Sequence, residues 1–211
     1  MSSERPGARR RTRTALTTLP ALVAVLAVGV AACGGSSSSS GGSSSKAVNP
    51  NGAEVSPAGD IPDNQAYVAY RPPGGGYSVK VPEGWARSTS GRTVAFTDKL
   101  NTIQMETTPA SAPMTVARAR RSELPRLARS EQRFQAGRVS TVSRSAGRAT
   151  RITYLADSRP DPVTGKVRRN AVERYVFFRR GRDVVLTLSG PKGADNVDPW
   201  KIVTDSVRWT R

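Results

Sequence analysis

The fold prediction starts from the segment Tyr77-Ser78-Val79-Lys80-Val81-Pro82-Glu83-Gly84-Trp85. Apolar and polar residues alternate from Tyr77 to Val81, which is typical of a β-strand with one buried face. Pro82 and Gly84 then interrupt the pattern, because neither residue continues a regular strand. The segment therefore predicts a half-buried strand that ends in a turn, with Trp85 just beyond it.

Other segments outside this stretch also have the character of strands or helices. Short turns join neighbouring strands, so the strands must be antiparallel. Helical periodicity appears in 113–134, and a second helix begins at Asp195 or Asn196, both of which are good helix caps. The sequence therefore predicts an α+β single domain with one twisted antiparallel sheet of about six to seven strands and helices packed on it. The further strand segments are 66–70, 93–98, 102–108, 138–143, 148–157, 168–179 and 183–189.

The predicted helix in 113–134 has an apolar side with Leu124 and Leu127 at its centre. Pro125 cannot be accommodated in a regular helix interior, so we expect a kink or a restart there. Ser122 is the expected cap of the second part.

The opposite side of this helix is basic. Arginine is pre-formed for two-point contacts with phosphate and carboxylate groups, which predicts a contact with anionic headgroups or wall polymers. The alternative is a solvated face whose charges pair with Glu123 or Glu131. The four residues of the predicted contact are Arg118, Arg126, Arg129 and Arg133.

Two parts of the sequence resemble PsbP/Mog1-like domains. Residues 76–85 are similar to the opening strand of that family, and 186–209 are similar to its last strand and closing helix. The resemblance spans about 66–211 and includes lipoproteins of high-GC Gram-positive bacteria. It implies the α+β fold and supplies no catalytic motif. It does not specify a function, because folds of this kind host varied binding and accessory roles.

The N-terminus has the three parts of an export signal. Five arginines precede an uncharged segment, 15–32, whose last residues are followed by a cysteine to give Val30-Ala31-Ala32-Cys33. This ending resembles the lipobox of bacterial lipoproteins. The resemblance implies that 1–32 is a signal peptide and that Cys33 is the first mature residue, joined to a diacylglyceryl group and held at the extracytoplasmic face of the cell membrane. A lone buried thiol is the alternative for Cys33, and Arg9-Arg10 leaves Sec and twin-arginine export both open.

A tether is predicted between Cys33 and the folded domain. Residues 34–45 are Gly and Ser only, and 46–64 are rich in Pro, Gly, Asn and Asp. We therefore assign 33–64 to the lipidated Cys and a flexible tether, and 65–211 to the domain. A chain that starts at Ala66 should then melt at nearly the same temperature as one that starts at Gly34.

Catalytic chemistry has few candidate residues. The chain has no histidine and a single cysteine, Cys33, which excludes Ser-His-Asp and Cys-His arrangements. A hydrolase would have to use carboxylates as its catalytic groups. The favoured interpretation of these carboxylates is that they lie on the surface or pair with arginine. We therefore predict no enzyme activity, no catalytic or metal-binding residue and no cofactor beyond the lipid on Cys33. The carboxylates considered are Glu106, Asp157, Asp161 and Glu173.

The formal net charge is +17, and the basic excess persists as +13 once 1–32 are removed. Export argues against a nucleic-acid partner, which leaves anionic headgroups or wall polymers. Arginine outnumbers lysine, so a GC-rich genome is an alternative source of the charge. We predict a non-catalytic binding or accessory module of the cell envelope. The alternative is a carrier or sensor of lipid or glycolipid with a buried apolar cavity, and a carboxylate-dependent hydrolase is the third hypothesis.

Overall fold

The computed structural model describes residues 58–210 of the chain. The predicted signal peptide, Cys33 and residues 34–57 of the predicted tether lie outside the described residues. Within 58–210, no helix has the length and apolar character that crossing a bilayer requires.

Two antiparallel sheets make up most of the described chain. The small sheet contains β1 (Tyr67–Tyr70), β2 (Tyr77–Pro82) and the C-terminal strand β10 (Arg208–Trp209), with β2 in the middle. The main sheet has seven strands in the order β3-β4-β5-β9-β8-β7-β6. Their bounds are β3 Ala86–Ser90, β4 Thr93–Asp98, β5 Asn101–Pro109, β6 Gln135–Arg144, β7 Gly147–Asp157, β8 Arg169–Arg179 and β9 Arg182–Pro191.

One apolar core lies on each face of the main sheet. Ile103 and Leu186 of the sheet pack with Val79 of the small sheet and with Val203 near the C-terminus. On the other face, sheet residues such as Ile152 pack against the helical segment that precedes β6. The α+β prediction with a seven-stranded antiparallel sheet is therefore confirmed, because helices cover both faces of that sheet.

Three parts of the strand prediction are wrong. The segments 66–70 and 77–81 belong to the separate small sheet instead of the main one. Strand β3 was missed because all five of its side chains are exposed, so it carries no apolar alternation. Residues 208–209 form β10 instead of continuing the closing helix, since that helix ends at Asp205 and Val207 is buried beyond it.

The helical segment before β6 has three consecutive parts: α1 (Val116–Arg118), a π-helical turn (Ala119–Glu123) and α2 (Leu124–Ser130). Pro125 lies in the first turn of α2, as predicted. The predicted irregularity is a π-helical turn directly before α2. In a regular helix the ring of Pro125 would clash with a backbone carbonyl of the preceding turn. Ser122 does not cap α2, because its hydroxyl donates to the Arg118 carbonyl at 2.8 Å.

The last helix, α3 (Val197–Asp205), follows Asn196 as predicted. Its Trp200 and Val203 are buried in the core that also contains Ile103 and Val79. The Asn196 side chain does not cap the helix and instead makes contacts within the core.

The predicted boundary of the tether is also wrong. Residues 59–61, which we call the strap, are part of the fold, and Ile61 is only 4% exposed in the larger core. The Ile61 amide donates to Asn196 Oδ1 at 2.8 Å, and the Gly59 carbonyl accepts from the side-chain amides of Asn101 and Asn196 at 2.9 and 3.0 Å. Asn196 also donates to Asn101 Oδ1 at 3.0 Å. Because both asparagines are buried, the strap satisfies polar groups that water does not reach.

Candidate anion-binding site

Two adjoining depressions lie at one end of the main sheet. The larger is a cleft of about 550 Å³ between the loop 72–76, the β3–β4 turn and the β8–β9 turn. The smaller, of about 250 Å³, lies between the same loop, the β8–β9 turn and the end of β10. Gly75 and Arg182 line both of them, so the two depressions are adjacent.

The loop 72–76 forms one wall of the cleft. The Gly75 amide donates to the Pro72 carbonyl at 3.0 Å, and Gly76 has a φ of 69°, in the left-handed region that favours glycine. A Cβ at Gly75 would lie 3.0 Å from the ring of Tyr77, so a side chain at this position would require the ring to shift by a few tenths of an ångström. Arg182 Nη1 donates to the Gly74 carbonyl at 3.2 Å and ties the loop to the β8–β9 turn.

The β8–β9 turn forms the opposite wall. Its two central residues, Arg180 and Gly181, have φ values of 49° and 74°. A type I′ hairpin turn requires a positive φ at both of these positions. The Arg179 guanidinium lies 5.6 Å from the centre of the Trp209 ring, and Trp209 Nε1 donates to the Ala146 carbonyl at 2.8 Å. The aromatic ring is therefore fixed by the backbone, and it limits the orientations of Arg179.

The floor of the larger cleft is apolar. Tyr77, Val94 and Met105 line it, and all three are buried. Burial raises the pKa of Tyr77 far above its usual value, with a smaller opposing effect of a hydrogen bond from Thr107. The phenol therefore stays neutral and contributes its ring to the floor.

The rim of both depressions is basic. Four arginines line it, and no Asp or Glu from the described part of the chain lines either depression. Within 58–210 these four arginines make no ion pair, whereas six other arginines pair with carboxylates elsewhere in the fold. The rim arginines are Arg92, Arg179, Arg180 and Arg182, and the paired ones are Arg126, Arg133, Arg144, Arg151, Arg169 and Arg174.

The nearest carboxylate along the chain is turned away from the cleft. Asp183 follows Arg182, but it is buried, and its register partners Thr108 and Phe178 place it on the face of the sheet that the helical segment covers. Burial raises the pKa of Asp183, and the charge of Arg118 opposes this. Asp183 therefore does not neutralise the rim.

The four arginines predicted for an anionic surface do not form one helix face. Arg126 is hydrogen-bonded to Glu123, with Nη2–Oε1 at 2.6 Å, and Arg118 donates to the Ala112 carbonyl at 3.4 Å. Arg133 lies beyond the end of α2, has a φ of 47° and pairs with Asp157 at 3.4 Å. Arg129 is exposed. Their contact with an anionic surface stays a prediction, but two of the four charges already have carboxylate partners.

Three carboxylates considered for hydrolysis have partners inside the fold. Asp157 pairs with Arg133 and Arg169, and Glu173 pairs with Arg151 and accepts from the Tyr175 hydroxyl. Asp161 accepts hydrogen bonds from Thr164 and the Val163 amide within its own loop, which lower its pKa. These contacts agree with the preference for arginine partners and surface positions.

The cleft itself was missed by the sequence prediction. The run Arg179-Arg180-Gly181-Arg182 places three arginines within four residues, and this is the one available signal in the sequence. The glycines at 74–76 carry no such signal, and in the structure they line the two depressions.

A second groove of about 720 Å³ lies between the start of the helical segment and the main sheet. Apolar residues line most of it, among them Met114, Val116, Val176 and Phe178, with Arg148 at its edge. It has the location that the alternative hypothesis of a lipid carrier requires.

The chain is similar in structure to several solved proteins at low sequence identity. No protein-family model matches the sequence, and no curated protein matches it. The Ran-binding protein Mog1p of Saccharomyces cerevisiae is 10% identical, with a TM-score of 0.48 over 69% of this chain and 96% of that one. Cyanobacterial PsbP (CyanoP) from Synechocystis sp. PCC 6803 is 16% identical, with a TM-score of 0.49 over 76% and 99%.

LpqN of Mycobacterium tuberculosis, which is involved in cell envelope biogenesis, is 14% identical, with a TM-score of 0.42 over 71% of this chain and 87% of that one. At these values the likeness concerns the course of the backbone and does not extend to function. The chain has an α+β fold similar to those of Mog1 and PsbP.

Proposed function

We propose that the chain is a lipid-anchored, extracytoplasmic binding module of the cell envelope, without catalytic activity, whose cleft binds an acidic envelope component. The observation that carries this proposal is the basic rim. Four arginines without carboxylate partners line two adjacent depressions, and the larger of these has an apolar floor and the size that small ligands occupy. Uncompensated positive charge in a cleft attracts anions and orients them.

The proposed location of the protein rests on its sequence. The segment that ends in Val30-Ala31-Ala32-Cys33 supports export and lipid attachment, and the lack of histidine supports a role without acid–base catalysis. An exported protein meets anionic headgroups and wall polymers, so the basic rim and the proposed location favour the same class of ligand.

The anchor is tested with Cys33→Ala. This variant should stay an uncleaved precursor without lipid, because the thiol is the attachment atom and a lipoprotein Cys carries the two or more chains that stable anchoring needs. Incorporation of radiolabelled fatty acid and the mass of the protein recovered from the membrane fraction report the result. A variant that still matured, and stayed in the membrane after removal of residues 1–32, would contradict the proposed anchor.

The cleft is tested with Arg92→Gln/Arg182→Gln. Mass spectrometry of envelope molecules that co-purify with the native lipoprotein should show an anionic species that is depleted about tenfold or more in the double variant, because each lost contact to a charged group is worth about 1.5–3 kcal/mol. Arg120→Gln/Arg121→Gln removes the same charge from the π-helical turn and should leave the species in place. Equal loss in both variants, or no loss in the first, would contradict the proposal.

A carrier of neutral lipid is the second candidate, favoured by the groove between the helical segment and the sheet. Ala117→Trp would fill this groove. A neutral lipid that disappears in Ala117→Trp but persists in Arg92→Gln/Arg182→Gln would identify the groove as the binding site.

A further inference from the structure

The smaller depression concentrates positive charge more than any other feature of the cleft. Arg179, Arg180 and Arg182 line it together with Trp209, and we call these four residues the arginine niche. Arg179 and Arg182 face each other across the hairpin as register partners, and Arg180 lies at its tip. Three guanidinium groups are thus brought to one depression by a two-residue turn, where a bound anion would offset their mutual repulsion.

The chemistry of the niche fits a phosphate group. A guanidinium presents several N–H donors in a flat fork, which matches the oxygens of phosphate in two-point contacts. Three such forks exceed what one carboxylate can accept, whereas a phosphate monoester offers three oxygens and up to two negative charges. Trp209 holds Arg179 in place, so this fork is ordered before the ligand arrives.

The backbone at Arg180 supports a role in binding. A type I′ turn favours Asn or Gly at this position, and Arg180 instead adopts a φ of 49°. A side chain in the left-handed region strains the backbone, and such strain is concentrated at functional positions. The Arg180 side chain is exposed and packs in neither core, so the property that it contributes at this position is its charge.

The niche lies next to the larger cleft. Arg182 and Gly75 line both, and beyond them lies the apolar floor of Tyr77, Val94 and Met105. A single ligand can therefore place an anionic group among the three arginines and an apolar portion on the floor. A free phosphate ion would leave that floor uncovered.

We propose that the arginine niche binds the phosphate group of an amphiphile whose apolar portion lies in the larger cleft. The inference rests on the proposed function and specifies its ligand as a phosphate-bearing lipid-like molecule. It requires that phosphate and apolar portion both contribute to affinity, and that Arg180 contributes through its charge and not through the stability of the turn.

The test is isothermal titration calorimetry with the chain from Gly34 to Arg211, which contains every described residue. Dihexanoyl phosphatidic acid, kept below its micelle concentration, should bind at least about tenfold more tightly than inorganic phosphate, because only the amphiphile covers the apolar floor. Dihexanoyl phosphatidylcholine should also bind at least about tenfold more weakly than the phosphatidic acid, since its phosphate bears one charge beside a cation. Equal affinity for inorganic phosphate would identify free phosphate as the ligand and overturn the amphiphile, and equal affinity for phosphatidylcholine would overturn recognition of the phosphate.

Arg180→Asn separates binding from folding. Asn suits the turn, so the melting temperature should stay the same or rise, while affinity for phosphatidic acid falls about tenfold or more with the loss of one charged contact. Arg138→Asn removes the same charge from an exposed position on β6 and should leave the affinity unchanged. Unchanged affinity in Arg180→Asn, or an equal decrease in both variants, overturns the niche. If these probes fail while the co-purified anion still depends on Arg92 and Arg182, the inference is wrong and the proposed function stands.

Discussion

Glu123→Gln is expected to lower the free energy of unfolding by about 3–5 kcal/mol at neutral pH, the range for breaking one side of a buried ion pair. Glu123 is buried between the helical segment and the main sheet, where its Oε1 lies 2.9 Å from Nε of Arg174 on β8. Arg174 is nearly as buried as its partner, so the variant leaves its charge without compensation. Arg126 is half exposed and adds little to the loss.

The effect of Glu123→Gln should depend on pH. Burial acts to raise the pKa of Glu123, but hydrogen bonding to Arg126 and the charges of Arg174 and Arg126 outweigh it, so the pKa is lowered. A lowered carboxylate pKa contributes stability that is present above the unfolded-state value, near 4.3, and is lost as the pH falls through the folded-state value. Urea unfolding should therefore show a large difference between wild type and variant at pH 7, and a smaller one in acid.

The matched control is Glu131→Gln, which changes the same group at the end of the same helix, where Glu131 makes no ion pair with the described residues. Its free energy of unfolding should change by less than about 1 kcal/mol. A similar loss in both variants would mean that the net charge of the helical segment, and not the pair with Arg174, determines its stability.

Removal of the strap should have an effect of similar size. A chain that starts at Ala66 should lose about 4 kcal/mol relative to one that starts at Ala58. Burial of an Ile side chain contributes about 1.5–3 kcal/mol, and each buried amide left without its partner costs about 1–3 kcal/mol. Asn101 and Asn196 both lose the Gly59 carbonyl.

This result would reverse the prediction made from sequence, in which the chain from Ala66 melts like the longer one. Chains starting at Gly34 and Ala58 should have equal melting temperatures, since both keep the strap. Ile61→Ala should account for about 2–4 kcal/mol of the loss on its own, as expected for a large-to-small change in a core. Equal melting temperatures for the chains from Ala58 and Ala66 would show that the strap does not stabilise the domain.

The sequence was sufficient where local pattern and burial coincide. Alternation in β2 and β5 arises because every second side chain enters the core, so these strands could be predicted. Strand β3 has no buried side chain, and its pairing with β4 leaves no trace in its composition. Ile61 is a single apolar residue among Pro, Gly and Asp, and its partner Asn196 is 135 residues away.

The candidate site could not be predicted for a related reason. Its walls come from four separate parts of the chain: the loop 72–76, Arg92, the run 179–182 and Trp209. None of these carries a motif, and their proximity depends on the order of strands in two sheets. Pattern in the sequence reports each local element, whereas the cleft is a product of how distant elements pair.

Strand β5 links the strap to the cleft and acts as a spacer between them. Asn101 at its first residue holds the strap, and Pro109 at its last residue lines the cleft. At about 3.4 Å per residue these two ends are roughly 27 Å apart. The described chain thus enters the fold at the end of β5 remote from the cleft, so the strap and an occupant of the cleft do not compete for the same surface.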